Sequence, residues 1–274
     1  MGRVAASLLI TFRETLEATL VVGIILAFLR KEGADHRFHR SVWAGVFAGV
    51  MASILLAWIF ETFLFEWSEG HEELVEGALM FLAAGLLTWM IFWMSKQARI
   101  REEIERKVGY YHVREELLGL FFLALVSVLR EGIETIIFLN AAVTAGNNGF
   151  FGGMLGISLA LLLCFLFFTG LHRIKLKVFF RTTSILLILF AAGLIAHGIH
   201  EFQEAGLLPY LTHEAWNTNF IVNEASAIGS LLKGLFGYNG NPSHLEVFGY
   251  STFLITSFFL FLSPTKRLSP LSSS

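Results

Sequence analysis

Two arginine–glutamate clusters lie inside stretches that are otherwise apolar. One is Arg13-Glu14-Thr15-Leu16-Glu17, within ASLLITFRETLEATLVVGIILAFL; the other is Arg130-Glu131-Gly132-Ile133-Glu134, within LLGLFFLALVSVLREGIETIIFLNAAV. Glutamates three residues apart share one face of a helix, with Cβ atoms roughly 5–6 Å apart. Two helices that each offer such a pair can gather Glu14, Glu17, Glu131 and Glu134 around one point. Four carboxylates make a hard oxygen cage, suited to Mg²⁺, Ca²⁺, Mn²⁺ or iron and unsuited to soft ions such as Cu(I). Arg13 and Arg130 balance part of the charge. With all six groups ionised two negative charges remain, which a divalent ion or protons would neutralise.

The setting gives the pattern its weight. A charge at the centre of a membrane helix costs roughly 2.5 to 3.5 kcal/mol on insertion scales, so such residues persist where they face protein or a water-filled path. Salt bridges locking two helices would account for one copy, but they leave four carboxylates to share two arginines. The same spacing in Arg101-Glu102-Glu103-Ile104-Glu105 falls in a polar stretch and reads as a solvated helix face.

The elements that must hold these residues are membrane helices. Of 274 residues 55% are hydrophobic, 28 are Phe and only 15% are charged, against about a quarter charged in soluble domains. Apolar stretches long enough to span a bilayer fall at 4–29, 41–65, 74–95, 117–145, 150–171, 180–202 and 247–263. The first is too long and too charged for a cleaved signal peptide. All four prolines follow the sixth stretch. Most Lys and Arg fall between stretches 1 and 2, 3 and 4, 5 and 6, and after 7, which predicts an outside N-terminus and a cytoplasmic C-terminus. Cys164 is the single cysteine, so no internal disulfide is possible.

With that topology stretches 1 and 4 run in opposite directions, yet each carries Arg-Glu-x-x-Glu. Ala83-Ala84-Gly85-Leu86 in stretch 3 is likewise echoed by Ala191-Ala192-Gly193-Leu194 in stretch 6. The chain therefore reads as an all-α integral membrane protein of seven transmembrane helices. It forms a single domain of two inverted three-helix repeats (about 1–95 and 115–204), an outer segment (205–246) and a last helix (247–263). Inverted repeats place their substrate site near the midplane, at the repeat interface.

Secondary candidates sit at the outer ends. His197, His200, Glu201 and Glu204 fall at helical spacing and suit an entrance or relay site, or interfacial anchoring. Glu72, Glu73 and Glu76 continue the acidic loop from Glu66, which could concentrate cations. Met90, Met94, Trp89 and Trp93 read as packing. The apolar part of the outer segment, IVNEASAIGSLLKGLFGY, predicts a short helix.

The paired motif in stretches 1 and 4 resembles the oxidase-dependent iron transporter family, which includes bacterial EfeU-type permeases. Leu87-Thr88-Trp89-Met90-Ile91-Phe92-Trp93-Met94, Ala191-Ala192-Gly193-Leu194, Glu204-Ala205-Gly206-Leu207 and Leu235-Phe236-Gly237-Tyr238 carry the resemblance over nearly the whole chain. It implies iron passage, with Glu14, Glu17, Glu131 and Glu134 matching the family's essential glutamates and no cofactor beyond the transported iron. It also implies a bacterial inner membrane location and extracytoplasmic oxidase or iron-delivery partners. The family motif is Arg-Glu-Gly-x-Glu; Gly132 keeps it and Thr15 departs from it. The residues themselves leave open a proton-coupled carrier of another divalent metal, and a membrane di-iron oxidoreductase, whose chemistry usually needs Glu-x-x-His pairs. Nothing in the sequence suggests a nucleic-acid partner or a nucleotide-binding loop.

Overall fold

Long apolar runs without proline leave the backbone one way to satisfy its hydrogen bonds in lipid, the helix. The computed structural model of the chain describes residues 4–262, apart from 69–70, 97–99, 115, 145–148, 169–175 and 225. Among the described residues it contains nine helices and no strand. They are α1 (Ala5–Lys31), α2 (His36–Ser68), α3 (Glu72–Lys96), α4 (Ile100–Val113), α5 (Leu117–Thr144), α6 (Gly149–Phe168), α7 (Leu176–Glu204), α8 (Ala227–Phe236) and α9 (His244–Leu262).

Among the described residues, four helical stretches are both long and apolar enough to cross a membrane: His36–Phe63, Glu72–Phe92, Gly149–Leu166 and Thr182–Glu204. The 27-residue α1 and 28-residue α5 match them in length but carry the charged clusters. α2 exceeds its expected bounds at both ends; its early start follows from the turn at Gly33 (φ 67°), after which the chain re-enters a helix within three residues. The basic residues 3, 99, 173, 175, 266 and 267, and part of the acidic loop, lie outside the described residues.

The packing pairs helices that are distant in sequence. α1 lies along α6, α2 along α5 and α3 along α7, with α1 crossing α5 between them. Two Gly-x-x-x-Gly steps allow the first two pairings. A Cβ on Gly45 would run into the Phe121 carbonyl, and one on Gly49 would lie 3.0 Å from the Leu125 carbonyl. On α6 the same applies to Gly152 against Val4 and Ser7, and to Gly156 against Leu8 and Thr11. Small residues of this kind let membrane helices approach backbone to backbone. Each glycine step of four matches a step of four on the partner, so both pairs run parallel and in register.

At the third pairing the start of α3 meets the end of α7. Gly77 lies against Gly198 and Phe202, and the Phe81 and Phe202 rings stack at 5.4 Å. Ala83, Ala84, Ala191 and Ala192 have no exposed surface there. The echoed Ala-Ala-Gly-Leu runs thus line the centre of the fold, within one core cluster fed by α1, α3, α5 and α7.

α4, expected only as a solvated face, docks its apolar side. Val108 is fully buried, and a Cβ on Gly109 would meet Phe28 of α1 at 3.5 Å. The short helix expected in the outer segment is α8. Ser226 caps its start by accepting from the Gly229 N–H (3.0 Å), and Gly237 ends it in the left-handed conformation (φ 66°). It packs on α7 and touches α1.

Candidate metal site

The crossing of α1 and α5 brings the two charged clusters together. One carboxylate oxygen from each of Glu14, Glu131 and Glu134 lies within 4.8 Å of the other two. Glu17 stands beside this trio, held by Arg13. Arg13 Nη2 is 2.9 Å from Glu17 Oε1 and Nη1 is 3.1 Å from Glu14 Oε1. In the second cluster Arg130 Nε donates to Glu134 Oε1 at 2.9 Å, with Glu131 Oε1 at 3.9 Å. The i,i+4 pairing of arginine with the second glutamate is therefore the same in both helices.

The two clusters differ in burial. Arg13 and Glu14 are essentially inaccessible, whereas Arg130 keeps 36% of its side chain exposed. Glu14, Glu131 and Glu134 each bury an Oε2 that has no hydrogen-bond partner among the described residues. A buried carboxylate oxygen without a donor is costly, and native proteins rarely keep one without a purpose. Three of them converging from two helices are satisfied by a cation with oxygen preference or by protons.

The second clusters' middle residues explain how the helices fit. A Cβ on Gly132 would collide with Ser53 of α2. At the equivalent place α1 has Thr15. Continuing the register of Gly152 and Gly156 by one step puts the buried Ala160 beside Phe12 and Thr15. The larger residue on α1 thus faces a smaller one on α6.

The outer candidates gather elsewhere, at the start of α3 and the end of α7. His200 Nδ1 is 3.1 Å from Glu246 Oε1 and Nε2 is 3.3 Å from Glu204 Oε1, and the His197 ring lies 6.0 Å away. Packing of α3 on α7 sets Glu72, Glu73 and Glu76 at the same end as Glu201 and Glu204. Sequence reasoning missed Glu246, which also accepts from Asn239 Nδ2 (2.7 Å) and the Ser243 N–H (3.1 Å). The run Ser243-His244-Leu245-Glu246 is a capping box at the start of α9, a legible signal. Gln203 joins it through Ser243 Oγ at 2.8 Å. A narrow cleft beside these groups is lined by His197, Lys233, Tyr238, Asn239 and Glu246. Met90 was read as packing, yet its sulfur lies 3.0 Å from Arg13 Nη1.

A helical membrane protein with a buried cluster of carboxylates between two helices of like motif is the class these features define. Residues 4–266 match the Iron permease FTR1 family, and the chain belongs to that family. Among curated proteins it is similar to the ferrous iron permease EfeU of Escherichia coli O157:H7, at 33% identity over 267 residues, covering 94% of this chain and 95% of that protein. The ferrous iron permease EfeU of Yersinia pestis is 31% identical over 263 residues, covering 94% and 93%. No solved structure matches the chain.

Proposed function

We propose that this chain is a permease that moves iron across the bacterial inner membrane into the cytoplasm, through a midplane site built from Glu14, Glu131 and Glu134. Glu17 and the two arginines tune the charge of that site. The observation that carries the reading is the convergence of three buried carboxylates with unpartnered oxygens, on two helices with the same motif. The relatives' names specify ferrous iron, and an oxygen cage accepts that ion.

The packing supports an inverted-repeat architecture. If α1, α2 and α3 correspond to α5, α6 and α7, the α1–α6 and α2–α5 pairings are mates, each built on Gly-x-x-x-Gly. The α1–α5 and α3–α7 pairings are then self-mated and lie on the pseudo-two-fold axis. Such an axis in the membrane plane puts the substrate site between the repeats. α9 is the seventh span, and the carboxylates at the start of α3 and end of α7 face the extracytoplasmic side, where they draw in cations. An oxidase or iron-delivery protein would hand over the ion there.

Oxygen ligands alone do not separate iron from other divalent metals, so competition decides between them. Iron uptake into proteoliposomes tests the proposal: wild-type protein should load the lumen, and excess Mg²⁺ or Ca²⁺ should not suppress it. Uptake that survives Glu14→Ala and Glu131→Ala together would sink the site. An enzyme would instead retain its metal and consume oxygen without net transport.

A further inference from the structure

Arg13 and Arg130 hold equivalent positions in α1 and α5, yet only Arg13 is fully buried within the chain. Arg13 also meets a side chain of α3. Met90, itself 2% exposed, places its sulfur 3.0 Å from Arg13 Nη1, the nitrogen that also reaches Glu14 Oε1. Aligning the two Ala-Ala-Gly-Leu runs makes Gly198 of α7 the counterpart of Met90. Gly198 has no side chain, and Gly77 and Phe81 approach it closely.

A guanidinium carries five N–H donors and no acceptor. Every carboxylate that shares its charge is partly neutralised, and Glu14, which meets Arg13 through Oε1, has its free Oε2 in the carboxylate trio. A thioether is a weak, neutral acceptor that occupies an N–H without adding negative charge. It gives Arg13 a partner that no cation competes for.

We propose that Met90 is a positioning residue for the metal site: its sulfur holds the Arg13 guanidinium on the α3 side and limits how strongly Arg13 competes with the ion for Glu14. Without the sulfur, Arg13 draws closer to Glu14 and the ion binds less well. The inference rests on the reading of Glu14, Glu131 and Glu134 as the transported ion's site.

Three variants test it in proteoliposomes by iron uptake kinetics. Met90→Leu keeps the volume and removes the acceptor; KM should rise about fivefold with little change in the maximal rate, as befits one modest hydrogen bond. Met90→Gln restores a side-chain acceptor of similar length and should return KM to within about twofold of wild type. Met80→Leu, an equally buried swap in the same helix, should leave KM unchanged. Equal KM for Met90→Leu and Met80→Leu, or a Gln variant as impaired as the Leu variant, overturns the inference. If Met90→Leu fails to reach the membrane, the Gln variant decides alone: a raised KM overturns it and a wild-type KM supports it. Loss of uptake in Glu14→Gln with a normal KM for Met90→Leu would remove this inference only. Normal uptake in Glu14→Gln would remove the site itself.

Discussion

Gly193 of α7 and Gly237 at the end of α8 meet backbone to backbone, so closely that a Cβ on either would run into the Cα of the other. This contact seats the outer segment on the helix bundle. Gly237 is constrained twice, since its φ of 66° also ends α8. On the same side Tyr238 Oη donates to the Val222 carbonyl at 2.9 Å, and Glu224 Oε1 accepts from the Gly240 N–H at 2.6 Å. The segment is therefore a folded cap on α7.

Gly193→Ala should lift that cap. Overpacking against backbone costs about 1–3 kcal/mol, enough to lower the Tm in detergent by several degrees and to speed proteolysis within 205–246. An unchanged Tm and an unchanged cleavage pattern would show that the cap is not held at this point. Gly85→Ala is the control, because nothing lies within 4 Å of the Cβ it would add.

The three converging carboxylates should not be equivalent to the fourth. Glu14→Gln, Glu131→Gln and Glu134→Gln each remove a charged ligand, and each should cut the apparent iron affinity about 10–100-fold, the range seen when support for a metal site is lost. Glu17 is tied to Arg13 at 2.9 Å outside the trio. Its Gln variant should lose less affinity and more stability. Isothermal titration with a redox-stable ion such as Mn²⁺ would check the ranking. Four equal losses would mean that all four glutamates ligate alike.

Much of this was readable before any coordinates. The two motifs were legible because charge is so rare in lipid that Arg13 and Arg130 stand out, and the echo of Ala83 in Ala191 was legible because both runs serve one crossing. Which glutamates touch was not legible. Spacing puts Glu14 and Glu17 on one face, but only the way α1 crosses α5 decides that Glu14 joins Glu131 and Glu134 while Glu17 stands beside them. The Gly-x-x-x-Gly pairs at Gly45 and Gly152 went unread because single glycines are common in membrane helices; their meaning appears only with the partner backbone. Glu246 was legible as the glutamate of a capping box, but not its pairing with His200, 46 residues earlier.

The arginines should differ in what their loss does to the fold. Arg13 is fully buried between two carboxylates, and removing one partner from such a group typically costs about 3–5 kcal/mol. Arg130 keeps 36% of its side chain exposed, and where that face lines a water-filled path the pair is screened and the expected loss is about 1 kcal/mol. Arg13→Gln should therefore lower the Tm clearly more than Arg130→Gln. Equal shifts would mean that the second cluster is buried in the working protein by something other than this chain.

If α1–α6 and α2–α5 are mates in an inverted repeat, damage to one should resemble damage to the other. Gly49 and Gly156 are the second glycines of the two steps, and each faces a carbonyl of its partner, Leu125 and Leu8 respectively. A leucine at either place would push the paired helices apart by more than a methyl group's width, because two backbones have no rotamer by which to yield. Both helices then carry a glutamate pair away from the crossing, α5 in one case and α1 in the other. Gly49→Leu and Gly156→Leu should thus both abolish iron uptake while leaving helix content by circular dichroism unchanged. Uptake that survives one substitution and not the other would show that the two pairings do different work, and the repeat would then be a relic of sequence with no equivalent role in the site.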